Sequence, residues 1–151
     1  GLSWGEFFWN YRLEFQFELN KEKNGLLIPK DRKEPLKEKV LTALSDYNSY
    51  PTVLHGDLWS GNIHCAEKQK PFLIDPAVYY GDREADIAMT ECFGGFSEQF
   101  YQVYNEILPL DKGYEKRKHI YNLYHMLNHY YLFGSTYKQT CDSIIDQILS
   151  Y

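Results

Sequence analysis

At 151 residues, 44% hydrophobic and 25% charged, the chain is long enough for one well-buried core and short for two, so it reads as a single folding unit. Its net charge of −5 offers no general electrostatic reason to bind nucleic acid or an anionic lipid surface, and any phosphate site has to be local. Cys65, Cys92 and Cys141 are widely spaced and odd in number, which fits neither a disulfide framework nor a CxxC pair; no apolar run approaches the roughly 20 residues of a membrane span and no basic-then-apolar leader opens the chain, so a cytoplasmic protein is expected.

The first element is announced by Ser3-Trp4-Gly5-Glu6, the spacing of a capping box in which Ser3 and Glu6 satisfy each other's backbone amides. Trp4, Phe7, Phe8, Tyr11, Phe15 and Leu19 then recur at helical spacing and predict a helix with an aromatic face, broken at Asn24-Gly25. Residues 26–28 make a short apolar connector, and a charged stretch over 30–34 leads to Pro35, a good first-turn residue. Leu36, Val40, Leu41, Leu44 and Tyr47 predict the next amphipathic helix, ended over residues 48–51.

The period then changes. Thr52-Val53-Leu54 and Phe72-Leu73-Ile74 look like short buried strands, bracketing a polar nonapeptide and a hydrophilic turn over 67–70. After Gly81 the pattern is helical again. Asp82 is a candidate N-cap for a segment closed by Gly94-Gly95, and Ser97 can cap one carrying Phe100, Val103, Tyr104 and Ile107. Ile120 through Tyr131 and Tyr137 through Leu149 mark two more helices. The expected class is α+β, predominantly helical, with a small β-loop-β insert.

That insert carries the chemistry. Leu54 to Asn62 reads LHGDLWSGN, and FLIDP follows at Asp75. A turn needs only the glycines; the His, Asp, Trp and Asn call for a chemical reason. In phosphoryl transfer a protein mainly positions groups and neutralises charge: an Asp orients the acceptor hydroxyl and takes its proton, while an Asn and a second Asp hold Mg2+ against the nucleotide phosphates. A β-loop-β unit would bring Asp57, Asn62 and Asp75 to one edge, and hard oxygen donors suit Mg2+. Gly56 and Gly61 would let the loop turn sharply.

HGDLWSGN followed by LIDPAVYYGDREADIAMT resembles the catalytic core of the fructosamine kinase family, relatives of the aminoglycoside and choline phosphotransferases within the protein-kinase-like fold. Trp4-Gly5-Glu6-Phe7-Phe8-Trp9-Asn10-Tyr11-Arg12-Leu13 is similar to that family's WxxFFxxxRL stretch. The resemblance implies ATP- and Mg2+-dependent phosphorylation of a sugar hydroxyl on a ketosamine or glycated amine, a deglycation step. It implies Asp57 as catalytic base, Asn62 and Asp75 as metal ligands, and His55 as a brace of the catalytic loop with Gly56 and Gly61. Trp59 is a candidate wall for the acceptor sugar or ordinary core packing. Asp82, Arg83, Glu84 and Asp86 could meet the substrate amine, or form a cap and ion pairs tying the helix to the loop; for Arg83 and Asp86 the structural role is favoured. Asp-Pro-Ala stands where kinases carry Asp-Phe-Gly, so no regulatory flip is expected.

The family's nucleotide-binding lobe, with its phosphate-covering loop and Lys, has no counterpart in these residues. The expectation is that residues 1–151 form most of a kinase-like C-terminal lobe, inactive alone, with the N-terminal lobe of the same polypeptide as partner. The alternatives are a kinase of an amino sugar or choline, and a non-catalytic binding module. His125 and His129, four apart, have zinc spacing without an HExxH motif, and read as solvated or hydrogen-bonded histidines. The His55 and Asp57 pair with a later His could imitate an iron site, which the helical second half argues against. Cys65 and Cys92 read as core thiols.

Overall fold

The structure, a computed structural model, describes every residue except 26, 50 and 67–69. The turn expected over 67–70 and part of the 26–28 connector therefore lie outside the described residues. The described residues are mostly helical with two small sheets, and the chain divides into two compact units, Gly1–Asn48 with Glu115–Tyr151, and Ser49–Tyr114. No described helix is long and apolar enough to cross a membrane.

The first unit opens with α1 (Trp4–Phe8), capped by the reciprocal Ser3 and Glu6 bonds expected of the capping box. A π-helical turn, Trp9–Leu13, joins it to α2 (Glu14–Asn24), and Gly25 ends the run at φ 88°. The π turn changes which face is buried. Within it the Glu14 N–H reaches back five residues to the Trp9 carbonyl, wider than the α-helical step of four, so side chains beyond it are rotated out of a strict 3.6-residue phase. Phe8, Trp9, Leu13 and Phe17 are buried, whereas Tyr11 and Phe15, expected on the core stripe, are 60% and 56% exposed.

Helix α3 (Lys30–Ser45) begins after Pro29, earlier than the start expected at Pro35, which lies inside the helix. The charged stretch over 30–34 is its first turn. Pro35 is exposed, so water can satisfy the carbonyl one turn back that its missing N–H leaves without a donor. Leu36, Val40 and Leu44 are buried as the spacing predicts. They share a core with Ile120, Tyr121, Leu123 and Leu127 of α6 (Tyr114–Phe133) and with Cys141, Ile145 and Ile148 of α7 (Lys138–Leu149).

Several polar groups inside this core are partnered, although the buried Gln16 Oε1 accepts no hydrogen bond. The Trp4 indole N–H donates to the Tyr121 hydroxyl at 3.1 Å, and Tyr47 and Tyr121 share a hydroxyl bond of 3.1 Å. The buried Arg117 guanidinium lies 3.6 Å from the centre of the Tyr47 ring, a stacking that its weak hydration favours. Asn20 donates to the Gln16 and Leu127 carbonyls, each at 2.9 Å.

Among its described residues the second unit holds four three-residue strands in two antiparallel pairs, β1 (Thr52–Leu54) with β4 (Tyr79–Gly81), and β2 (Ile63–Cys65) with β3 (Pro71–Leu73). The pairing places Thr52 opposite Gly81 and Ile63 opposite Leu73. The sequence suggested one adjacent strand pair flanking the loop; instead each flanking strand takes a different partner. They are also less buried than expected. Val53 is 62% and Phe72 53% exposed, and only Leu54 of β1 is buried, because a two-stranded ribbon covers neither of its own faces. For the same reason Cys65, read as a core thiol, is exposed.

Helix α4 (Arg83–Cys92) carries the expected cap: the Asp82 side chain accepts the Glu84 N–H at 2.8 Å. Gly94 and Gly95, at φ 93° and 71°, turn the chain into α5 (Glu98–Ile107), whose cap Ser97 accepts from the Phe100 amide. Arg83 donates to the Leu108 and Pro109 carbonyls at 3.0 and 2.6 Å and to the Tyr104 hydroxyl at 2.9 Å. The start of α4 is thereby tied to the end of α5, where a cation meets the negative end of the helix dipole.

Candidate active site

The nonapeptide leaves β1 at Leu54 and turns at Gly56, whose φ is +82°. A Cβ there would lie 2.0 Å from the Ala77 carbonyl oxygen, and the neighbouring Ala77 N–H donates to the His55 carbonyl at 2.8 Å. Gly56 is thus required both by conformation and by close backbone approach. Gly56→Ala should lower stability by about 2–5 kcal/mol, the combined scale of left-handed strain and overpacking; chemical denaturation checks this, and a variant as stable as the parent would refute the approach to Ala77.

His55 knits the loop to the strand end. Its Nδ1 accepts the Asp57 N–H at 3.2 Å, and its Nε2–H donates to the Ile74 carbonyl at 2.8 Å. That pattern needs the neutral tautomer protonated on Nε2. The Ile74 N–H donates in turn to the Asn62 carbonyl at 3.0 Å. Both backbone groups of Ile74 are therefore bound to the loop, and Asp75 follows directly. Asp75 has φ 49°, a left-handed conformation that an Asp tolerates better than most residues but that still costs on the order of 1 kcal/mol.

The Asn62 side chain is buried and points its Nδ2 at Asp57, donating to the backbone oxygen at 2.9 Å and to Oδ2 at 3.0 Å. An amide suits this position because one end donates to a carboxylate while the other keeps an acceptor oxygen. Behind the loop, the Asp86 carboxylate accepts two backbone amides, His55 N–H at 2.8 Å and Gly56 N–H at 2.9 Å. Burial raises the Asp86 pKa above 3.8, against the lowering effect of those two bonds. Asp86 thus takes the structural role favoured for it in the sequence, tying α4 to the loop, although through two backbone amides and not through an ion pair.

Gly61 departs from its expected role. Its φ is not positive, so the turn does not need a glycine there. A Cβ would instead meet Cη2, Cζ2 and Cζ3 of Trp59 at 2.2, 2.4 and 2.6 Å, so the indole lies on the Gly61 backbone. Trp59 is 38% exposed and meets Phe93 edge-on at 6.0 Å. Phe93 was missed in the sequence, where nothing but an aromatic after α4 marks it. Asp82 and Glu84, considered for the substrate amine, are both buried, the first as the α4 cap.

The other candidate groups have structural surroundings. Burial pushes the Cys92 and Cys141 thiols up to about 12, which suppresses the thiolate a nucleophile needs. Burial also pushes His125 down to about 3, and His129 Nδ1 bonds to the His125 carbonyl at 2.8 Å. Among the described residues no three His, Cys, Asp or Glu side chains cluster as metal ligands.

The model of the family described as fructosamine kinase matches residues 2–151. A candidate ketoamine kinase of Synechocystis sp. is 45% identical over 97% of this chain and 49% of its own length. The chloroplastic protein-ribulosamine 3-kinase of Arabidopsis thaliana is 42% identical over 97% of this chain and 45% of its own. Among solved structures, a candidate fructosamine-3-kinase from Haemophilus somnus 129PT superposes with a TM-score of 0.87 at 40% identity, covering 97% of this chain and 50% of that one. The chain thus spans about half the length of the curated relatives it matches. It belongs to the fructosamine kinase family.

Proposed function

We propose that these residues are the catalytic half of an ATP-dependent kinase that phosphorylates a sugar hydroxyl of a ketosamine, undoing glycation of an amine. On this reading they form the C-terminal lobe of a protein-kinase-like fold, with the nucleotide-binding lobe in the remaining length of the relatives. The observation that carries the reading is the pairing of the Asn62 amide with the Asp57 carboxylate at 3.0 Å, on a loop bonded through His55 to the residue before Asp75. The names of the relatives support the ketosamine class.

The residues divide the work as follows. Asp57 holds the acceptor hydroxyl through one carboxylate oxygen and takes its proton as the phosphoryl group is transferred. Asn62 fixes the Asp57 rotamer through Nδ2, leaving Oδ1 as a neutral oxygen donor for a cation. Asp75, exposed at the strand end, adds the charged donor. This pair fits Mg2+, which takes one or two protein oxygens and keeps its waters; when bound, Mg2+ neutralises charge on the nucleotide phosphates. The exposed face of Trp59 provides a wall for the acceptor sugar.

The test uses a polypeptide extended to the full length of the relatives. Asn62→Ala and Asp75→Ala should each raise the Mg2+ concentration needed for half-maximal phosphorylation of a fructosyl-amine. Asp75→Ala should be the more severe, since it removes a formal charge from a divalent site. A Mg2+ dependence unchanged in both variants would sink the metal assignment.

A further inference from the structure

An exposed tryptophan is usually either free to rotate or on its way into a core, and Trp59 is neither. Its six-membered ring rests on Gly61, where an added Cβ would fall 2.2–2.6 Å from three ring atoms. A second contact comes from Phe93, whose ring meets it at 6.0 Å and an interplanar angle of 67°. Such an edge-to-face pair has a preferred tilt. The indole nevertheless keeps 38% of its surface open.

Phe93 is itself held in place although two glycines follow it. Thr90 donates its hydroxyl proton to the Ile87 carbonyl at 2.6 Å. The Tyr101 hydroxyl, 2.9 Å from Thr90 Oγ1, therefore donates there, and its oxygen accepts the Phe96 N–H at 3.0 Å. One tyrosine from α5 thus pins both sides of the corner between α4 and α5. The Phe93 ring is presented to Trp59 by a backbone corner held on both sides, not by a swinging loop.

We infer that Phe93 is a positioning residue for the acceptor site: with Gly61 it holds the Trp59 indole at one tilt, and that tilt sets the affinity for the acceptor's sugar ring. The inference rests on the ketosamine kinase reading for the identity of the acceptor. Its physical basis is preorganisation, since a ring already held in its binding pose loses less freedom when the sugar packs on it.

The test compares Phe93→Leu, Phe93→Tyr and Trp59→Ala in the polypeptide extended to the relatives' length, with fructosyl-lysine as acceptor. Enzyme labelled with 5-fluorotryptophan reports the ring directly, its Trp59 fluorine resonance being the one lost in Trp59→Phe. Phe93→Leu should move that resonance and raise the acceptor KM about three- to tenfold, the scale of one aromatic pair, with the KM for ATP and kcat within about twofold. Phe93→Tyr, which keeps the ring, should match wild type in both readouts and separates ring loss from misfolding.

A moved resonance with an unchanged acceptor KM would overturn the positioning role, as would a parallel rise in the KM for ATP, the mark of general loosening. An acceptor KM unaltered in Trp59→Ala would remove the wall itself. An enzyme that phosphorylated choline or an amino sugar and no ketosamine would overturn the substrate reading instead. The same KM comparison on that acceptor would still decide the role of Phe93.

Discussion

Replacing Asp57 by alanine, in a polypeptide of the relatives' full length, should lower turnover of a fructosyl-amine by about 10² to 10⁴, the usual contribution of a positioned acid-base group. Substrate affinity should change far less, because the sugar and nucleotide contacts assigned to other residues remain. The structure sharpens this expectation. Asn62 Nδ2 donates to both the backbone oxygen and Oδ2 of Asp57, so removing the carboxylate leaves one of its two acceptors and the buried amide stays partly satisfied. The loss should therefore appear in kcat and not as unfolding. Steady-state kinetics alongside a melting curve separates the two, and turnover within a few-fold of wild type would remove Asp57 as the base.

Asp86→Ala should produce the opposite signature, with stability and turnover falling together. Its carboxylate is the acceptor for the His55 and Gly56 amides at 2.8 and 2.9 Å. Truncation leaves two donors without that acceptor; at about 1–3 kcal/mol for each fully buried case, and less in this half-buried loop, a loss of about 2–4 kcal/mol is expected. Freed of that bond pair, the loop would no longer hold Asp57 and Asn62 in one pose. Asp86→Asn offers a milder test, since its amide oxygen can serve one N–H while its NH2 opposes the other.

The pH dependence follows from the sign of the shift. Folding raises the Asp86 pKa above 3.8 through burial. Its ionisation-linked contribution is fully present below that unfolded value and is lost as pH rises through the folded one. The stability gap between wild type and Asp86→Asn should therefore narrow as pH rises from 3.8, which urea denaturation at a series of pH values would read. A gap that widened over the same range would mean that the two amide bonds outweigh the burial.

What the sequence determined by itself was local. The Ser3 and Glu6 capping box, the stop at Gly25, the Asp82 and Ser97 caps and the Gly94-Gly95 corner each depend on groups within a few residues of one another, so their spacing is their geometry. The grouping of His55, Gly56, Asp57 and Asn62 was legible for the same reason, because one tight loop leaves few ways to arrange them. What only the tertiary structure decided depends on partners distant along the chain. The π turn over Trp9–Leu13 rotated the aromatic face in a way no 3.6-residue pattern encodes. Strands of three residues carry too short an alternation to name their partners, so β1 with β4 and β2 with β3 had to be seen. Gly61 looked like a turn residue until the Trp59 ring was found lying on it. The tie of Asp86 to the loop was favoured from the sequence, but its partners, the His55 and Gly56 amides, and the contact of Phe93 with Trp59 join residues about thirty positions apart, where a contact is set by how helix and loop pack and leaves no periodic trace in the sequence.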